Sequence, residues 1–257
     1  MESVHTLAML GWALTAAVVA GTARADDTPP PQGWSGKGEL GVVFARGNTD
    51  ADTVDAKLGV ADSVGDWKHI LQVDVLQAKS NQVTSADRDD ASLQSDYNLS
   101  TRSFLYGSIA YIDDRLSGFA YQRNATLGYG HKFLDSGSDK LNAEIGIGYG
   151  QEQPETLIKD ADGNVIGRIK LGSQSAALAQ GEVKYEHDFN KTTKITEDLK
   201  VNYQDIDTFL LDDLALVVAM TTKLSLSVAF ELRHNSAPPA PSRPTDTLST
   251  VNLVYAF

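Results

Sequence analysis

The chain predicts an all-β fold: a transmembrane, antiparallel, up-and-down β-barrel of about twelve strands behind an N-terminal signal peptide. Three observations predict it. Residues 247–257 alternate between two kinds of side chain, with Val251, Leu253, Tyr255 and Phe257 on one face and Thr250, Asn252, Val254 and Ala256 on the other, because an extended chain repeats every two residues. Residues 7–21 form a short apolar run followed by the small-x-small site Ala23-Arg24-Ala25, the layout of a secretory signal. Between these ends, alternating stretches recur at nearly regular spacing. No apolar run after residue 25 is long enough for a helix to cross a bilayer.

Taken in order, residues 1–25 read as a signal peptide, although Met1 to Thr6 lack the basic residues usual there, and Asp26 should open the mature protein. Residues 26–36 are expected to be a short periplasmic segment, and residues 37–257 the barrel. The first strand is expected over 38–46, closed by Gly47-Asn48-Thr49-Asp50, and the second over 53–63, turning at Gly65-Asp66. The third covers 67–79 and is followed by a polar loop through Asp89. The fourth and fifth cover 91–101 and 104–113. The sixth, 121–133, turns at Asp135 to Asp139 into the seventh, 141–151. A long insertion over 152–172 precedes the eighth at 175–187. Asn190-Lys191-Thr192 leads to the ninth at 194–204, and Asp205 to Asp207 lead to the tenth at 210–220. The eleventh, 223–234, is followed by a loop holding Pro238, Pro239, Pro241 and Pro244 and then by the terminal strand. Twelve is even, as in single-chain bacterial barrels, whose short periplasmic turns alternate with longer external loops. Long connections are expected after strands three, five, seven and eleven.

Aromatic residues sort toward two levels. Trp67, Tyr97, Phe104, Tyr106, Tyr129, Phe133, Tyr185, Tyr255 and Phe257 fall near periplasmic strand ends, and Phe44, Tyr121, Tyr149, Tyr203 and Phe230 near external ones. Two girdles at the lipid boundaries account for that pattern. Strands five and ten do not alternate cleanly, so their facing stays open.

The polar faces of the other strands define the candidate site. Asp55, Lys57, Asp74, Asp96, Glu144, Glu182, Lys184, Asp198, Lys200, Glu231 and Arg233 are expected to line a hydrated or charge-paired lumen, with Glu186 on the same face. Acid outnumbers base there, so a conducting bore would favour cations. The Val251, Leu253, Tyr255 and Phe257 face resembles the signal read by the outer-membrane barrel-assembly machinery. Lipid and lipopolysaccharide are the other expected partners, and the net charge of −12 argues against nucleic acid.

Chemistry motifs are scarce. The chain has no cysteine, which excludes disulfides, thiol nucleophiles and Cys-ligated metals. His69, His131, His187 and His234 sit on separate strands without metal spacing. Asp160-Ala-Asp162-Gly-Asn164 lacks the glycine and glutamate of a calcium loop, with Val165 and Leu171 at those positions, and reads as a polar turn. No catalytic residue, cofactor or metal site is implied.

Gly47-Asn48-Thr49, the segment Asp113-Asp114-Arg115-Leu-Ser-Gly-Phe119-Ala-Tyr121 and Gly128-Tyr129-Gly130 together resemble the salt-induced outer membrane protein family, a bacterial group of largely unknown function. Ala120 stands where that family often carries an acidic residue. The resemblance covers almost the whole mature chain and implies an outer-membrane barrel, not a reaction. Asp113, Asp114 and Arg115 read as an external loop pinned by charge pairs. Two functions fit, a passive narrow pore and a structural or envelope-stress barrel with a plugged lumen; the residues disfavour the alternative of an outer-membrane lipid-modifying enzyme, and a soluble periplasmic β-protein is the other alternative.

Overall fold

A computed structural model describes residues 32–45, 51–81 and 83–257. The signal peptide, its cleavage site, the Gly47-Asn48-Thr49 turn and the Phe44 side chain lie outside what is described. The strands are β1 (Gly33–Ala45), β2 (Ala51–Val64), β3 (Trp67–Ser80), β4 (Val83–Asn98), β5 (Ser103–Asp114), β6 (Phe119–Ser136), β7 (Asp139–Lys159), β8 (Val165–Lys170), β9 (Gln174–Asp188), β10 (Thr193–Tyr203), β11 (Thr208–Ala219), β12 (Leu224–Asn235) and β13 (Thr245–Ala256). Every pairing is antiparallel, and β6 pairs β7 to close a ring of twelve strands, with β8 attached outside the ring. At the seam, Lys37 to Leu40 of β1 face Ala256 to Leu253 of β13. Gly36 and Phe257 exchange two backbone hydrogen bonds of 2.9 Å at its end. Closure removes the free sheet edges that a bilayer would leave unsatisfied.

Side chains of alternate residues point out, and that face is apolar where it needs to be. Leu127 is 71% exposed, Ile145 68% and Ile147 75%, with Leu71, Val228 and Val251 also outward. A wall of this kind is stable against lipid and would not be in water. The facing left open by sequence is resolved by the ring. On β5, Leu105, Ile109 and Tyr111 are exposed while Phe104 and Tyr106 are buried; on β11, Leu214, Leu216 and Val218 are exposed and Phe209 is buried.

Four expectations are corrected. The polar loop through Asp89 is strand: β4 begins at Val83 and pairs β3 up to Ser80, with Asn81 turning at a φ of 49°. The insertion over 152–172 is also largely strand, since β7 continues to Lys159 and folds back as β8. In both places the chain rises above the apolar wall, so neither face must be hydrophobic and the alternation that marks a strand disappears. The mouth is therefore extended by long strands more than by long loops, and among the described residues only 236–244 form a lengthy open connection. Phe104 and Tyr106, expected in the periplasmic girdle, point into the barrel at 6% and 3% exposure, and Phe230 sits midway along β12. Trp67, Tyr97, Tyr129, Phe133, Tyr255 and Phe257 are exposed on the wall, as are Tyr149 and Tyr203. Finally, β1 starts at Gly33, inside the segment expected to precede the barrel.

Candidate functional site: the closed lumen

The eleven candidate residues all sit on inward-facing positions of their strands. Two ionic groups account for most of them. In the first, Arg88 of β4 donates to Glu231 of β12 at 2.8 Å, and Arg233 of β12 reaches back to Asp90 of β4 at 2.5 Å. These two strands are five places apart around the ring by the shorter way, so the bonds cross the bore. Lys57 of β2 joins them, 3.1 Å from Asp213 of β11 and 3.8 Å from Glu231. Asp74 lies opposite Lys57 in the sheet register, and Asp55 accepts a 2.7 Å hydrogen bond from Asn252. Three cations and the anions Asp90, Asp213 and Glu231 thus meet, with Asp55 and Asp74 beside them, in a space where Arg88, Glu231 and Arg233 are nearly inaccessible. Burying such charges is tolerable only because each has its partner.

The second group runs along one wall. Lys184 of β9 lies 2.7 Å from Glu182 on its own strand and 3.9 Å from Asp198 of β10, while Lys200 of β10 lies 3.2 Å from Glu182. Glu144 of β7 accepts hydrogen bonds from Gln94 of β4, and Gln94 also donates to Asp96 at 2.9 Å. Between the groups lies a cavity of about 150 Å³ whose lining includes Asp74, Asp90, Gln94, Lys184, Lys200 and Arg233. Glu186 is tied near the β9–β10 turn to Lys140 and Lys194 at 2.6 and 2.7 Å.

An aromatic packing layer further narrows the lumen on the β5–β6–β7 side. Tyr106 and Phe104 rest over glycines: a Cβ at Gly128 would lie 2.5 Å from the Tyr106 ring, and one at Gly130 would lie 2.1 Å from the Phe104 ring. The Tyr106 hydroxyl accepts from Gln180 of β9 at 3.4 Å, which in turn accepts from Thr126 of β6 at 3.2 Å. The end of the barrel that carries the β5–β6 and β12–β13 connections is covered as well. Ser242 in the loop 236–244 donates to the Leu116 carbonyl in the β5–β6 turn at 3.3 Å, and Gln122 of β6 donates to Asn235 of β12 at 3.1 Å. Arg168 of β8 binds Glu155 at 2.6 Å and the Arg115 carbonyl at 2.8 Å, which fastens the β7–β8 hairpin to the same turn. Arg115 also pairs with Asp87, with Asp89 at 2.7 Å and with Asp113 at 3.7 Å, so this loop is indeed pinned by charge.

Sequence reasoning missed Arg88, Asp90, Asp213 and Tyr106. Arg88 fell in the supposed loop and Asp90 between it and the fourth strand, yet Arg88, Asp90, Ser92, Gln94 and Asp96 continue one polar face at a spacing of two. Tyr106 could have been found from the alternate glycines at 128 and 130 and at 146, 148 and 150, which leave room for a large opposing ring. The four histidines among the described residues are all outward and each bonds a neighbouring side chain: His69 with Ser95, His131 with Ser103, His187 with Asp139 and His234 with Thr245. Asp160 accepts from the Asp162 and Asn164 amides at 3.0 and 2.8 Å, making the polar turn between β7 and β8. Among the described residues, no group of three or more His, Cys, Asp or Glu could hold a metal.

The chain belongs to the family described as protein of unknown function, DUF481, whose pattern matches residues 38–257 and so spans the motifs that carried the resemblance. It is similar to the uncharacterized protein YdiY of Escherichia coli (strain K12), with 26% identity over 267 residues covering 100% of this chain and 99% of that one. Among solved structures it is similar to the NanC porin, with 8% identity and a TM-score of 0.44 over 87% of this chain and 97% of that chain. It is also similar to a deltaS2 mutant of the TodX monoaromatic hydrocarbon channel, with 12% identity and a TM-score of 0.42 over 88% and 90%.

Proposed function

We propose that this member of the family is an outer-membrane barrel whose bore is held shut at rest by ion pairs, and that it serves the envelope as a structural, non-catalytic element. One observation carries the reading: the Arg88–Glu231 bond of 2.8 Å between strands five places apart. A hydrated pore separates its walls by water, whereas here opposite walls touch through desolvated charge. Export behind residues 1–25, insertion through the assembly machinery by way of Val251, Leu253, Tyr255 and Phe257, and contact with lipopolysaccharide complete the proposal. The outward apolar wall and the exposed aromatics at both ends support a membrane location.

The test is planar-bilayer recording with the purified barrel. The plugged reading expects no steady conductance. Stepwise ohmic openings in the unmodified protein would instead support the second reading, a narrow passive pore, which the cavity between the ionic groups favours. In that case the excess of lumen acid predicts a weak cation preference in reversal potential, declining as salt shortens the screening length to about 3 Å at 1 M. Insertion is tested separately. Changing Tyr255 and Phe257 together to lysine should leave unfolded protein in the periplasm, read as loss of heat-modifiable gel mobility; normal folding of that variant would defeat the assembly reading.

A further inference from the structure

Asp90, Glu182 and Asp198 each carry a buried oxygen without a hydrogen-bond partner but have a cation within 4 Å, whereas two buried acids at the external mouth have none. Glu152 of β7 and Asp207 in the β10–β11 turn are 4% and 3% exposed. Among the described residues, Glu152 Oε2, Asp207 Oδ2 and Gln204 Oε1 accept no hydrogen bond and neither acid forms an ion pair, although Gln122 is a hydrogen-bond donor to the Glu152 carboxyl. Desolvating a carboxylate oxygen without a partner costs several kcal/mol as an order of magnitude, so two such oxygens beside an unpartnered amide oxygen call for an occupant.

The three are held together by the fold. Gln204 and Asp207 belong to one turn, with the Gln204 amide donating to the Asp207 carbonyl at 3.0 Å. Gln204 Oε1 lies directly over Gly150, where a Cβ would stand 2.2 Å from it, and Glu152 is the next inward residue along β7. Asp207 is fixed by its other oxygen, which accepts from Ser236 Oγ at 2.9 Å and from the Ala237 amide at 2.8 Å. The charge that acts on Glu152 is that of Asp207, of its own sign. Glu152 sits beyond Tyr149, outside the apolar wall. A cation between the two acids relieves their repulsion.

We infer that Glu152, Asp207 and Gln204 form a binding site for one hard divalent cation of the calcium type at the external mouth. Two carboxylates and an amide carbonyl, with no nitrogen or sulfur donor, are the ligand set that calcium prefers, and water would complete its six to eight oxygens. Three protein donors place the affinity with weak extracellular sites, at a dissociation constant of about 10⁻⁴ to 10⁻³ M. Because Asp207 is also bonded to Ser236 and Ala237, the ion would lock β7, the β10–β11 turn and the loop 236–244 into one mouth.

The experiment uses the full barrel purified in detergent and freed of chelatable metal. Equilibrium dialysis with radiolabelled calcium should find saturable binding in that range, and protease digestion of the loop 236–244 should slow severalfold in calcium chloride relative to sodium chloride of equal ionic strength. E152Q combined with D207N should abolish both effects, with heat-modifiable mobility confirming that it folds. Q204E, which adds a third carboxylate, should tighten binding about tenfold and decides the matter if the double variant does not fold. Absence of saturable binding to the unmodified barrel, calcium binding retained by the folded double variant, or an unchanged affinity in Q204E would each overturn the site in favour of a mouth filled only by water.

Discussion

Arg88, Glu231 and Arg233 reach partners across the bore, whereas Glu182, Lys184 and Lys200 pair along the single wall made by β9 and β10. Both groups set acids against cations at a spacing of two along a strand, the first through Arg88 and Arg233 and the second through Lys184 and Lys200. They differ in the burial of those cations: the Arg88 and Arg233 side chains are 6% and 9% exposed, while Lys184 and Lys200 are 37% and 28% exposed around a Glu182 that is itself buried. The crossing group therefore acts as a strut whose arginines have no alternative solvent, and the lysines of the wall group can exchange protein partners for water. What separates a plug from a lining is thus whether the cations reach the far wall. The Tyr106 layer belongs to the first kind, since it occupies volume that a bore would need.

Breaking the crossing group should have the largest effect. Glu231→Ala leaves Arg88, Arg233 and Lys57 facing one another, and should cost about 3–5 kcal/mol in a reversible urea unfolding of the barrel in detergent. The same variant should show conductance that the parent lacks; stability within 1 kcal/mol of the parent would mean that the strut is not formed. Gly128→Ala comes next, because the new methyl meets both the Tyr106 ring and the Ile145 carbonyl at 2.5 and 2.3 Å. Overpacking of this kind costs about 1–3 kcal/mol, and combining the change with Tyr106→Leu should recover part of it, measured by the same unfolding. Lys184→Ala should be mildest, at about 1 kcal/mol, since Lys200 remains 3.2 Å from Glu182 and a side chain this exposed is screened. A loss as large as that of Glu231→Ala would erase the distinction between strut and wall.

Legibility followed the same boundary. Within the apolar wall, strands such as 141–151 and 247–257 announce themselves, because lipid demands one apolar face and the lumen tolerates a polar one. Above the wall that demand stops, and so Asp87 to Asp90 and the β7–β8 hairpin passed as loop. On β5 both faces are apolar for opposite reasons, Ile109 against lipid and Tyr106 against Gly128, and alternation cannot separate them. The calcium-type group was invisible for a related reason: Glu152, Gln204 and Asp207 look like ordinary polar residues of connections until the ring brings β7 beside the β10–β11 turn.

By itself the sequence determined the class, the number of wall strands and which charged side chains share a face, since these follow from the two-residue period of an extended chain and from the cost of polar groups in lipid. The closing pair β1 and β13, the stagger that sets Arg88 against Glu231 and Lys57 against Asp213, and the inward turn of Phe104 and Tyr106 were decided only by tertiary structure. Partners across a barrel depend on its circumference and on the summed register of every hairpin around it. No local stretch of residues carries that sum.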